Sequence, residues 1–250
     1  MGIGDQILGT GMAKGAAKRG KRIAFGDGQR IIWDHNSEAI FKGNPNIAKP
    51  GSEQDKDIEW IPFHRGNRIY NWHDEVNRRW RWNYSFHPIP GDIYFTDEEL
   101  EFAQGMGSDF IIIEPNVPTW KQGASNKQWP YYADLVDKLQ GYDVRQFATG
   151  SHQLAKQINA PTFRHALAAI SKAKLYIGPE GGLHHGAAAV GVPAVVIFGS
   201  WIPPQVTGYD MHTNIGRGVA CGSLYPCIHC EEAMKSISVN EVYQAAQALL

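Results

Sequence analysis

The hexapeptide Glu180-Gly181-Gly182-Leu183-His184-His185 offers three kinds of chemistry at once. Its carboxylate can accept hydrogen bonds from ribose or sugar hydroxyls. Its two glycines let the backbone approach a ligand closely, and the helical N–H groups that follow can receive a phosphate. Its histidines fall in the first turn of that helix. The same residues also suit a plain turn between strand and helix, with the glycines used for packing, and the hexapeptide alone leaves both readings open. Elsewhere, Cys221, Cys227, His229 and Cys230 are four soft ligands that could enclose zinc as Cys₃His. Three of them crowd one turn, and paired Cys-x-x-Cys knuckles are absent, so thiols packed without a structural zinc are expected. No basic partner at useful spacing marks a catalytic thiol.

The elements that must position the hexapeptide are legible on both sides of it. Leu175-Tyr176-Ile177 is a short apolar strand that stops at Gly178-Pro179, and Tyr176 to Gly178 orient the turn. Leu183 to Val190 reads as a small-residue helix ended by Gly191 and Pro193. Val195 to Phe198 is a second apolar strand, closed by Gly199-Ser200. A strand, a glycine turn, a helix and a strand in this space make a βαβ unit with parallel strands. Its turn then sits at the carboxyl edge of the sheet, where α/β proteins bind ligands.

This segment resembles the signature region of the ADP-heptose lipopolysaccharide heptosyltransferase-like family, glycosyltransferase family nine. The resemblance rests on Glu180 to His185, Ala187 to Ala189, Gly191-Val192-Pro193 and Phe198-Gly199, with Glu180 where the family usually carries aspartate. It extends to Gly4-Asp5 and to Lys127-Gln128-Trp129-Pro130. The fold it implies is α/β and GT-B-like, with two Rossmann-like parallel-sheet domains facing a cleft. The first of these would be short and lack its usual first strand. The activity implied is inverting, metal-independent transfer of a sugar, heptose included, from a nucleotide-diphosphate donor to a glycan or glycolipid hydroxyl of lipopolysaccharide type. By that resemblance Asp5 is the general base and Lys127 the cation on the donor diphosphate. Glu180, Gly181, Gly182, Leu183 and His184 form the donor seat, and Thr207 is a further donor contact. No cofactor is implied. Read from its own surroundings without the resemblance, Asp5 is a solvated or helix-capping carboxylate.

The remaining elements follow in order. Ile7, Leu8, Met12 and Ala16 share a helical face, and Ile23 to Phe25 is a strand. Trp60 to Phe63 and Ile93 to Phe95 read as short strands, and Asp97 to Gln104 as a helix capped by Thr96. Residues 64–87 interleave bases and aromatics: His64, Arg65, Arg68, Tyr70, Trp72, His73, Arg78, Arg79, Trp80, Arg81, Trp82, Tyr84 and His87. They pack an irregular loop onto the sheet or form an acceptor-side surface. Gly105 to Ser108 marks a boundary between an acceptor-side domain at 1–107 and a donor domain at 108–250. Phe110 to Ile113 is the clearest buried strand, followed by a loop with Lys121 and a helix from Pro130 to Leu139. Arg164 is expected in a surface salt link. The GT-B resemblance implies that the terminal helix, Ser238 to Leu250, crosses back toward the first domain.

A net charge of −1 over 250 residues, with 43% hydrophobic and 20% charged residues, calls for no nucleic acid. No apolar run approaches the roughly 20 residues that span a bilayer, and the N-terminus lacks a secretory design. Cytoplasmic residence is therefore expected, with at most peripheral contact at the inner face of the membrane. A nicotinamide-dependent oxidoreductase would need Gly-x-Gly-x-x-Gly after a strand, and Ile7 stands at the third glycine position. The competing function is a catalytically inactive nucleotide-sugar or glycan-binding protein on the same scaffold.

Overall fold

In the computed structural model the described residues are 2–62, 68–118 and 123–250. His64, Arg65, Phe63 and Lys121 fall outside them. Helix α1 (Ile3–Ala17) buries Ile7, Leu8, Ala13 and Ala16, and no described strand precedes it. After Gly20, at φ +69°, strand β1 (Arg22–Gly26) runs parallel to β2 (Ile58–Pro62), with Arg22 beside Ile58. Between them lies α2 (His35–Phe41), started by the Asp34 carboxylate accepting the Ser37 N–H at 2.9 Å.

Part of the expected irregular loop is a hairpin of β3 (Asn71–Asp74) and β4 (Arg79–Trp82). The alternation Arg-Trp-Arg-Trp of β4 is the period of a strand with two unlike faces. Its turn is organised by Asp74, whose carboxylate takes the Asn77 N–H at 3.0 Å and the Arg81 guanidinium at 2.9 Å. Residues 93–95, expected as a strand, pair with no strand among the described residues. Their carbonyls are used differently, Tyr94 accepting from Arg164. Helix α3 (Asp97–Gln104) follows, with Thr96 and Glu99 in a reciprocal capping box.

The rest of the chain alternates strand and helix: β5 (Phe110–Ile113), α4 (Tyr132–Lys138), β6 (Asp143–Phe147), β7 (Lys156–Ile158), α5 (Phe163–Ile170), β8 (Leu175–Pro179), α6 (Gly182–Ala189), β9 (Ala194–Gly199), α7 (Pro204–Thr207), β10 (Thr213–Gly216), α8 (Ile228–Ser236) and α9 (Val239–Gln247). The sheet is parallel, in the order β10-β9-β8-β5-β6-β7. Because successive strand residues face opposite ways, one side of the sheet presents Phe110, Ile112, Tyr176, Val196 and Phe198 to α1, α5 and α6. The other side presents Ile111, Ile113, Leu175, Ile177, Val195 and Ile197 to α4 and α9. The βαβ unit read around residue 180 is present with parallel register, Tyr176 beside Ala194. The terminal helix α9 packs on the larger sheet. Val242 and Ala246 join Trp129 and Leu135 in the core on the larger sheet's own side. Two α/β domains with parallel sheets thus face a cleft, the arrangement of a GT-B-like fold.

Arg164 is not on the surface. It is buried in an ion pair with Glu99, Nε to Oε1 at 2.6 Å and Nη2 to Oε2 at 2.8 Å, and it also donates to the Ala39 carbonyl at 2.9 Å. Burial alone would raise the Glu99 carboxyl, but the guanidinium holds it below its ordinary value. The pair joins α3 to α5 and draws in the end of α2. Removing one partner of such a buried pair costs about 3–5 kcal/mol, because the other charge is left uncompensated. Glu99→Ala should therefore lower the unfolding free energy by about that amount in a denaturant titration, and Arg145→Ala, whose partner Asp143 is more exposed, should lower it far less.

Candidate functional site

The strand order reverses between β5 and β8, so a crevice opens at their carboxyl ends, where doubly wound sheets receive ligands. Both strands end in a buried acid, Glu114 after β5 and Glu180 after β8. The Glu180 carboxylate takes the Lys127 ammonium at 3.0 Å and the His185 Nε2 at 3.4 Å, and its carbonyl takes the same ammonium at 2.7 Å. Burial would raise its pKa, yet Lys127 and His185 hold it well below the ordinary value. Lys127 closes the 3-10 turn Ala124–Lys127 and lies 5.2 Å above the Trp201 ring. With Nε2–H on the carboxylate, His185 accepts the Tyr209 hydroxyl through Nδ1 at 2.9 Å.

His184 is fully buried. Its Nε2 lies 3.0 Å from the Thr207 carbonyl, which can only accept, so Nδ1 is left to accept the Gly181 N–H at 3.2 Å. Burial, with His185 alongside, pushes its pKa well down, so the ring stays neutral. It therefore works as a brace that caps α6 and ties it to α7. Leu183 is half-buried. Thr207 is buried, and its hydroxyl has no hydrogen-bond partner among the described residues. Gly181 and Gly182 lie at the start of α6, with Gly181 open toward Lys127 (a Cβ there would lie 4.0 Å from Nζ).

Asp5 is brought to the same edge by close contact between helix ends. A Cβ on Gly4 would come within 2.9 Å of the His185 ring and 3.4 Å of the Gly182 Cα. Only hydrogens at these two positions let the starts of α1 and α6 meet at that distance. The Asp5 carboxylate accepts the Gly2 N–H at 3.1 Å, the Arg68 guanidinium at 2.7 Å and the Tyr70 hydroxyl. It caps α1 and also anchors the chain just before β3. Burial lowers and Asp5 raises the Arg68 pKa, with a net rise. Burial, then the negative charges of Asp5 and Glu180, pushes Tyr70 well up.

Sequence reading found Asp5, Lys127 and the Glu180 turn, and the structure groups them around one edge. It missed Glu114, Arg68, Tyr70, Trp201 and Tyr209 as members of the same group, and it left His185 out of the donor seat. Arg68 and Tyr70 were visible only as part of a basic–aromatic stretch. Glu114 had one signal, an acid directly after the most apolar strand. Two cavities open nearby. One of about 450 Å³, lined by Ser200, Pro204, Asn214 and Arg217 among others, lies at the ends of β9 and β10. One of about 530 Å³ lies between the β3–β4 hairpin and residues 219–221 and 229. The four soft ligands do converge: the ligand atoms of Cys221, Cys227, His229 and Cys230 all lie within 4.8 Å of one another. The crowding expected to prevent this is relieved because Cys221 arrives from a separate loop.

No family model and no curated protein matches the chain. Among solved structures, the glycosyl transferase family 9 protein from Veillonella parvula is similar over 100% of this chain and 94% of its own, at 15% identity and a TM-score of 0.61. At that identity the likeness is one of fold. ADP-heptose LPS heptosyltransferase II of E. coli is 20% identical over 64% of this chain and 53% of its own, with a TM-score of 0.46. The iron-containing dodecameric glycosyltransferase TibC of enterotoxigenic E. coli is 15% identical over 65% and 50%, with a TM-score of 0.47. The chain spans about half the length of these two enzymes.

Glu114 yields a pH test of the crevice. Its Oε1 accepts the Asn116 N–H at 2.8 Å, but burial dominates and raises the carboxyl from 4.5 to about 7. A carboxyl raised in the folded state favours folding below its ordinary pKa, and that contribution is lost as the pH rises through the folded value. Between pH 4.5 and about 7 the protein should lose about 3 kcal/mol of unfolding free energy relative to Glu114→Gln. Denaturant titrations of both proteins across this range measure it, and parallel curves would mean that Glu114 ionises in the folded protein at its ordinary value, unshifted by burial.

Proposed function

We propose that this chain transfers a sugar from a nucleotide-diphosphate donor to an acceptor hydroxyl, with inversion. The observation that carries the reading is the meeting of two turns at one sheet edge. The Lys127–Glu180 clasp sits at the switch point, and the Asp5 carboxylate is brought alongside by the Gly4–Gly182 approach. Residues 108–250 hold the donor and residues 1–107 face the acceptor. Lys127 has three ammonium protons and spends two on Glu180. The third is available to a diphosphate oxygen, stabilising charge as the glycosidic bond breaks. The amides that open α6, beginning at Gly181 and Gly182, add hydrogen bonds and the positive end of the helix dipole. Leu183 walls the seat, His184 and Thr207 fix it from beneath, and the remaining Glu180 lone pairs suit a ribose or sugar hydroxyl. A carboxylate has about four acceptor sites. With three of those on Asp5 engaged, one is left to take the proton of the attacking hydroxyl. The likeness in fold to the glycosyl transferase family 9 protein of Veillonella parvula supports this reading. Heptose as donor sugar, a lipopolysaccharide-type acceptor, independence of a catalytic metal and a cytoplasmic site of action belong to the same proposal.

The engagement of Asp5 by Arg68, Tyr70 and Gly2 favours a second reading, a nucleotide-sugar-binding protein without turnover. Two variants separate the readings. Lys127→Ala should weaken binding of ADP, UDP or GDP, whichever the parent prefers, by about 10–100-fold, the worth of a charged hydrogen bond. Because the change strands the Glu180 charge, Lys127→Ala/Glu180→Gln serves if the single variant unfolds. Asp5→Asn should keep nucleotide affinity and lower transfer by about 10²–10⁴-fold. If transfer stays within about threefold of the parent, Asp5 has only the structural role of capping α1 and anchoring Arg68 and Tyr70. A parent that binds nucleotide tightly and transfers to no acceptor leaves the binding reading.

A further inference from the structure

We propose that Cys221, Cys227, His229 and Cys230 form a tetrahedral site for one thiolate-bound metal ion, zinc by its donor set, and that the ion is structural. Cys221 is carried on the loop between β10 and α8. Gly218 and Gly222, at φ +56° and +63°, turn this loop back onto the end of β9. There the Cys221 and Gly222 N–H groups donate to the carbonyls of Ser200 and Trp201 at 3.0 and 3.1 Å. Cys227 is the residue before α8, and Cys230 lies in its first turn. These two form one Cys-x-x-Cys knuckle with His229 inside it. Two separate backbone anchors thus present four ligands to one point.

The spacing suits ligation. Zinc–sulfur bonds of about 2.3 Å in a tetrahedron set sulfurs about 3.8 Å apart. The sulfur of Cys221 lies 3.9 Å from that of Cys227 and 3.2 Å from that of Cys230. All four ligand atoms lie within 4.8 Å of one another, and the three cysteines are not in disulfides. The supporting contacts are also those of a metal site. The Ser223 N–H donates to the Cys221 sulfur at 3.5 Å, and the Ser200 hydroxyl lies 3.2 Å from Nδ1 of His229, orienting the ring. Cys230 is buried, while His229 is exposed and lines the cavity beside the hairpin, which supplies a path for entry.

The ion would fix more than its own loop. Asn126, next to Lys127, donates to the Tyr225 carbonyl at 2.8 Å and accepts the Cys227 N–H at 3.0 Å. Trp201, beneath the Lys127 ammonium, donates to the Ser223 carbonyl at 2.6 Å. The Trp80 N–H of the hairpin donates to the Gly222 carbonyl at 2.8 Å. The site therefore braces the Lys127 turn and joins it to the β3–β4 hairpin. This inference does not depend on the glycosyl-transfer reading, and its test reads metal rather than turnover.

The full chain is purified under reducing conditions without added metal and analysed for bound elements. Close to one zinc per chain is expected, with Cys221→Ser and Cys230→Ser each losing it. Should those variants fail to fold, the parent itself is stripped with a chelator and reloaded with cobalt(II). Tetrahedral visible bands with a thiolate-to-cobalt charge-transfer band are then expected, altered in the exposed variant His229→Ala. Chelation should lower the thermal midpoint, and added zinc should restore it. Absence of both stoichiometric metal and the cobalt spectrum overturns the site, as does a Cys221–Cys230 disulfide in the reduced preparation. Iron at one per chain overturns the choice of zinc.

Discussion

The carboxylate of Glu180 is buried at the end of β8 and keeps its charge because Lys127 and His185 reach it from two other elements. An ion taken out of water must recover its hydration from fixed partners, and the recovery depends on geometry. The partners are therefore fixed in turn. Tyr209 holds the far nitrogen of His185, and Trp201 lies under the Lys127 ammonium. His184 ties the start of α6 to Thr207. One charge thus specifies the relative positions of a 3-10 turn, two strand ends, the start of α6 and the end of α7. The same demand leaves the edge polar and preorganised where a strand-order reversal opens a crevice.

The smaller half of the molecule reaches that edge through close helix contact and buried pairs. Gly4 against Gly182 permits α1 to touch α6 where any side chain would hold them apart. Arg68 and Tyr70 converge on Asp5 from a segment more than sixty residues away in sequence. Arg164 and Glu99 perform the complementary task on the other side, fastening α3 to α5 out of contact with water. These contacts make the two parallel sheets a single framework.

The loop carrying Cys221 adds a third link, from the end of β9 through Ser223 and Gly222 to Asn126 and Trp80. The Lys127 turn is thus held from behind by the loop and from the front by Glu180. The basic–aromatic segment gains its hairpin partly through this contact, since β4 borders the loop as well as β3.

Local pattern alone determined the parallel βαβ unit around residue 180, the buried strand at 110–113, the Thr96 cap and the face of α1. Each depends on neighbours within a few residues, through strand alternation, helical period or a cap three positions away. The Lys127 and Glu180 positions were legible through motif resemblance, while their mutual ion pair was not. Only the tertiary structure decided that Asp5 meets Arg68 and Tyr70, that Arg164 is buried, that Glu114 shares the crevice, and that the soft ligands converge. All of these are contacts between segments distant in the chain, and nothing in local propensity encodes them. Strands β7 and β10, three and four residues long, likewise exist because a neighbouring strand offers hydrogen bonds. Their own residues carry too little apolar pattern to announce them.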